Sequence, residues 1–153
     1  MSSAFKIYLP RHVSQKKDIQ KAINKSNPIN GDETILLVED EISILDLTKS
    51  MIENFGYKVF TASTPIEAIS IASESKNDIH LLITDVVMPD INGLELSRKI
   101  LSLHPGLKCI FMSGYPQNTI HKHSGFDGGI NFIQKPFSMK DIAFKIREVL
   151  DKK

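Results

Sequence analysis

The chain has 153 residues, 41% of them apolar and 24% charged, with a formal net charge of +1. That fits one domain with a real core, and the near-neutral balance gives no electrostatic reason to expect nucleic acid or a membrane surface as a partner. The single cysteine, Cys109, excludes an internal disulfide and a cysteine metal cluster, no apolar run approaches bilayer-spanning length, and the polar-interrupted N-terminus lacks a signal-peptide core.

In chain order, residues 1–10 come first. Phe5, Ile7 and Leu9 alternate with Lys6 and Tyr8, as in a short edge strand stopped by Pro10. Residues 11–32 are polar and mostly basic, with Lys16, Lys17, Lys21 and Lys25, and carry the turn pairs Asn27-Pro28 and Asn30-Gly31. They read as a linker, which makes 33–153 the folded domain.

From Thr34 the pattern becomes regular. Thr34 to Val38 is an apolar strand that runs into Glu39-Asp40. Glu41 to Phe55 places Leu45, Thr48, Ile52 and Phe55 at helical spacing, and Gly56 stops the helix. Tyr57 to Thr61 is a second strand. Thr64-Pro65-Ile66-Glu67 is a capping box with proline at the first helical position, so a second helix runs to about Ser75. His80 to Thr84 is a third strand and delivers Asp85; Asn92, with Glu95 three residues on, caps the helix that follows. Leu107 to Met112 is a fourth strand, followed by Ser113 and a short, weakly apolar helix over Pro116 to His123, expected to be mobile because it is short and flanked by Gly125. Gly129 to Gln134 is a fifth strand ending at Lys135. Ser138 to Asp141 caps a last helix with Ile142, Ile146, Val149 and Leu150 on one face.

Five strands alternating with five helices predict an α/β, doubly wound parallel sheet of the flavodoxin-like kind. Strands one, three, four and five end in Glu39-Asp40, Asp85, Ser113 and Lys135, whereas strand two ends without reactive groups. The order 2-1-3-4-5 puts strand two at an edge and brings the reactive ends together. Three adjoining carboxylates repel one another unless positive charge neutralises them. Lys135 supplies one charge, and an all-oxygen site with open positions suits Mg²⁺, with the backbone carbonyl of Val87 as a further ligand. A carboxylate beside Mg²⁺ and a lysine is a nucleophile for a phosphoryl group, with Asp85 as acceptor and the Ser113 hydroxyl holding a transferred oxygen.

These residues, taken together, resemble the receiver domain of two-component signalling. The resemblance covers about Thr34 to Leu150 and rests on Glu39-Asp40, on Asp85 followed by Met88-Pro89 and Gly93, on Ser113-Gly114, and on Lys135-Pro136-Phe137. Most receivers carry Asp where this chain has Glu39; the carboxylate is kept. The resemblance implies a phosphohistidine donor, held by a kinase domain in the same or another chain, and a histidine phosphotransfer protein as a further partner. It also implies a domain that assists its own phosphorylation and dephosphorylation. In the switch it implies, Ser113 turns towards the phosphate, Phe132 moves inward, and the face of the fourth helix, fifth strand and last helix changes partners. Lys135-Pro136 is expected to be cis.

Ala4 to Pro10 is similar to the final strand of a histidine kinase ATP-binding domain. That implies a hybrid sensor kinase as parent: kinase tail, linker, receiver, with no output domain after the last helix, and a cytoplasmic location beneath a parent that can be membrane-anchored. Two other readings stand beside it: a phosphorylation-independent interaction module and a stand-alone response regulator. A phosphatase with an aspartyl nucleophile would want an acid two residues after Asp85, where Val87 stands. Cys109 reads as an inert core thiol, and His121 and His123 do not share a helix face.

Overall fold

The computed structural model describes residues 29–74, 78–116 and 130–153. Residues 1–28, where the kinase-tail strand and most of the linker are expected, and the expected helix over 116–123 beyond its first residue lie outside the described residues. The elements are β1 (Thr34–Val38), α1 (Ile42–Glu53), β2 (Lys58–Ala62), α2 (Pro65–Glu74), β3 (Leu81–Asp85), α3 (Gly93–Leu103), β4 (Lys108–Ser113), β5 (Phe132–Gln134) and α4 (Met139–Leu150). All strand pairs are parallel and the sheet order is β2-β1-β3-β4-β5, as the placement of reactive ends predicted.

Parallel strands joined by helices bury both faces of the sheet, so central strands are apolar on both sides. Every residue of β1 and β3 is buried, whereas edge strand β2 begins exposed at Lys58. Alternate residues serve opposite layers. Ile35, Leu37, Ile83 and Met112 pack against Leu45 and Ile52 of α1 and Ile142, Ile146 and Val149 of α4. Leu36, Val38 and Leu82 face the other way, onto Ala68 and Ala72 of α2 and Leu96 and Ile100 of α3.

The strand bounds shift slightly from the sequence reading. β2, β3 and β4 each start and end one residue later, because the ladder hydrogen bonds carry on through Ala62, Asp85 and Ser113. Asp85 and Ser113 are thus the last residues of their strands rather than the first beyond them. The caps form where their side chains predicted. Asn92 Oδ1 accepts from the Glu95 amide at 2.8 Å, and Ser138 and Asp141 bond each other's backbone amides. At α2 the Thr64 hydroxyl accepts from Glu67 N, but the Glu67 carboxylate reaches one residue further back, to Ser63 N at 2.8 Å. α1 ends at Glu53, and Gly56 takes φ +94° in the turn that follows. The Lys135-Pro136 peptide is cis.

Two predictions follow from this packing. Leu82 has no solvent exposure and sits in the central strand. Leu82→Ala is expected to cost about 2–5 kcal/mol, read as a lower urea midpoint at unchanged slope. Cys109 is packed beside Phe111 and Phe132, and burial pushes its thiol up to about 12. In native protein it should react with a thiol reagent far more slowly than in urea-unfolded protein.

Candidate functional site

Four loops at the carboxyl ends of the strands build one site. β1 hands over Glu39 and Asp40, β3 ends in Asp85, β4 ends in Ser113, and Lys135 follows β5 directly. Because β1 and β3 are neighbours, Glu39, Asp40 and Asp85 each offer a carboxylate oxygen within 4.8 Å of the others. Glu39 is only 1% exposed and Asp85 7%, while Asp40 is open to solvent.

Lys135 holds the two buried acids together. Its Nζ donates to Glu39 Oε2 at 2.5 Å and to Asp85 Oδ2 at 3.1 Å. Backbone amides take the remaining oxygens: Glu41 N–H donates to Glu39 Oε1 at 3.3 Å, and Val87 N–H to Asp85 Oδ1 at 3.3 Å. One ammonium does not balance the cluster. Burial, followed by repulsion from Asp85, pushes Glu39 up to about 7 against the pull of Lys135. Lys135 itself is raised, since its bonds to Glu39 and Asp85 outweigh the cost of its own burial. The missing positive charge and the all-oxygen donor set fit a hard divalent cation such as Mg²⁺, for which Glu39, Asp40 and Asp85 are the carboxylate donors.

The structure brings Glu39, Asp40, Asp85, Ser113 and Lys135 to this end of the sheet, with differences in how each is engaged. The Ser113 hydroxyl is buried and accepts from Tyr115 N–H at 3.0 Å, while the Ser113 carbonyl accepts from Lys135 N–H at 2.8 Å. Phe132 opens β5 and packs half-buried with Ile130 on Val86, Leu94 and Phe111. Val87 is exposed beside the acids.

Two supports were missed. The Thr84 hydroxyl, fully buried, donates to the Asp85 carbonyl at 3.0 Å. Gly93 appeared in the sequence as part of a pattern, without a task. Its amide donates to the Val86 carbonyl at 2.9 Å, and a Cβ there would lie 2.1 Å from the Asp85 carbonyl oxygen. The loop after Asp85 therefore folds back onto the backbone that carries the acid. Glycine directly after a helix-capping asparagine is the signal that could have found it.

A family model for the response regulator receiver domain matches residues 35–147. Sensor kinase CckA of Brucella abortus is 33% identical over 98% of this chain, which spans 17% of that protein. Response regulator SaeR of Staphylococcus aureus is 29% identical over 76% of this chain, which spans half of it. Among solved structures, a response regulator receiver domain protein of Clostridium thermocellum superposes with TM-score 0.70 at 28% identity, covering 78% of this chain and 94% of that one. The receiver domain of hybrid histidine kinase CckA does so with TM-score 0.66 at 32% identity, covering 76% and 98%.

The electrostatics make a prediction that needs no phosphoryl chemistry. Asp85→Asn removes a buried like charge from beside Glu39 and should melt at or above the wild-type temperature without divalent ions. Added Mg²⁺ should raise the melting temperature of wild type and raise that of Asp85→Asn less. Equal shifts in both proteins would place the ion elsewhere.

Proposed function

The chain belongs to the response regulator receiver domain family, and we propose that it accepts a phosphoryl group from a phosphohistidine onto Asp85. The observation that carries this is the Glu39–Lys135–Asp85 arrangement: a nearly buried carboxylate at a strand end, held in place by an ammonium and a backbone amide. The Asp85 carboxylate attacks phosphorus while the P–N bond to the donor imidazole breaks, and the electron pair of that bond leaves with the ring. Lys135, already within reach of Asp85, follows the charge as it moves onto the phosphoryl oxygens. The Ser113 hydroxyl exchanges its bond from Tyr115 N–H for a donation to one of those oxygens. A bound Mg²⁺, on Glu39, Asp40, Asp85 and the Val87 carbonyl, would supply charge neutralisation on the phosphoryl group.

The donor is a histidine kinase domain, and the parent is a hybrid kinase in which residues 1–10 are the kinase tail, 11–32 the linker and 33–153 the receiver. The match to sensor kinase CckA supports this, because it covers 98% of the chain and so runs upstream of the family match at residue 35. A histidine phosphotransfer protein is the onward acceptor. Its docking, and control of the kinase, would use the surface around β5 and α4, where Met139 and Phe144 are exposed and Phe132 and Phe137 lie half-buried. Movement of Phe132 following Ser113 is the proposed link between phosphate and surface. No helix among the described residues is long and apolar enough to cross a membrane.

Incubation with a small-molecule phosphodonor and Mg²⁺, followed by intact mass measurement, tests the reading. Wild type should gain one phosphoryl group, Asp85→Asn none, and Lys135→Ala much less than wild type in the same time. Chelation of the metal should stop labelling. Labelling of Asp85→Asn to the wild-type level would refute Asp85 as the acceptor.

A further inference from the structure

At the opposite end of the sheet, a second polar cluster plays no part in the chemistry above. It is built on Arg147, in the last turns of α4. Arg147 Nη1 donates to both carboxylate oxygens of Glu33, each at 2.9 Å, and to the Tyr57 hydroxyl at 3.2 Å. Nη2 and Nε donate to Asp151, at 2.6 and 3.4 Å. The Tyr57 hydroxyl itself donates a hydrogen bond to the Ile29 carbonyl at 3.2 Å, so it acts as acceptor and donor at once. Tyr57 is 3% exposed and the Arg147 side chain 18%. This is a partly buried, shared network rather than an isolated surface pair, and such networks hold geometry where single exposed pairs do not.

What this cluster grips is the chain just before β1. Gly31 N–H donates to the Phe55 carbonyl at 3.0 Å, and the Glu33 carbonyl accepts from Lys58 N–H at 3.1 Å. Space at Gly31 is closed. A Cβ there would come within 2.3 Å of Glu33 Oε2, 2.4 Å of the Tyr57 ring and 2.6 Å of Arg147 Nη1. Gly56 faces it in turn, since a Cβ at Gly56 would meet the Gly31 carbonyl at 2.6 Å. Residues 29–33 also lie outside the family match, which begins at residue 35.

We propose that Arg147, with Tyr57 and a closely packed Gly31, anchors the segment Ile29–Glu33 to the N-terminal edge of the sheet, so that the preceding chain leaves the receiver at a fixed point on the side away from the acidic cluster. Residues 29–32, read from the sequence as the end of a linker, are therefore bound to the domain. The anchor reaches α4 as well, which ties the exit point of the preceding chain to the helix that carries Met139 and Phe144. The proposal stands whether or not Asp85 is phosphorylated.

Amide exchange by NMR on the 153-residue chain tests it. In wild type the amides of Gly31 and Lys58 should exchange slowly. Arg147→Met, which keeps the aliphatic stem, should speed exchange at Gly31 by about ten-fold or more, as expected for loss of charge-assisted bonds, while the amides of β3 and β4 keep their rates. Gly31→Ala, which keeps the arginine but crowds it, should do the same at residue 31. If Arg147→Met loosens the whole sheet, Glu33→Gln decides, because it leaves the Arg147–Asp151 pair intact. Fast exchange at Gly31 in wild type, or unchanged exchange in Gly31→Ala and Glu33→Gln, overturns the anchor.

Discussion

Two carboxylates, Glu39 and Asp85, are nearly buried side by side and share one ammonium. Left alone they would repel, and burial would drive Glu39 to take up a proton. Glu39 moves in that direction even with Lys135 in contact. The rest of the domain can be read as the apparatus that keeps this arrangement in place. A parallel sheet of order 2-1-3-4-5 is one way to bring the ends of β1, β3 and β5 to a common edge, and its buried faces fix the register from which each side chain projects. The cation comes from one of the outermost strands and the acids from the centre. The charge balance therefore depends on β5, the shortest strand of the sheet, staying paired to β4.

The backbone does as much as the side chains. Asp85 is held by the Val87 amide, its own carbonyl accepts from Thr84, and Gly93 lies so close that no side chain fits between. Ser113 links β4 to Lys135 through its carbonyl while its hydroxyl rests on Tyr115 N–H. The hydroxyl can therefore leave its present partner without weakening the strand pairing that positions the lysine. A switch needs that separation between the bond that changes and the bond that must not.

The sheet order, the helix caps at Asn92 and Ser138 and the gathering of Glu39, Asp40, Asp85, Ser113 and Lys135 were legible in the sequence. Continuous apolar runs with a polar residue at the end are a strong local signal, and reactive groups at four strand ends, three of them charged, restrict the topology further. Three things were hidden. The limits of β2, β3 and β4 moved by one residue, since ladder pairing extends past the last apolar side chain, and β5, read from Gly129, begins at Phe132. Gly93 carried a steric task that only the close approach of the Asp85 carbonyl reveals. The Arg147–Glu33–Tyr57 cluster joins residues 114 positions apart at its widest, and no short motif announces such a meeting. The polar composition of 11–32 suggested a loose tether throughout, but the Ile29 carbonyl and the Gly31 amide bond Tyr57 and Phe55 of the domain.

The two ends of the sheet now divide the work. The C-terminal edge gathers acids around a lysine, and the N-terminal edge gathers hydrogen bonds around an arginine, five residues of strand away, or about 17 Å. α4 spans the same distance. Its first turn is capped by Ser138, three residues after Lys135, and its last turns carry Arg147 and end where Lys108 Nζ donates to the Leu150 and Lys152 carbonyls. The helix thus joins the two ends: Lys135 lies three residues before its cap, and Arg147 in its last turns holds Glu33.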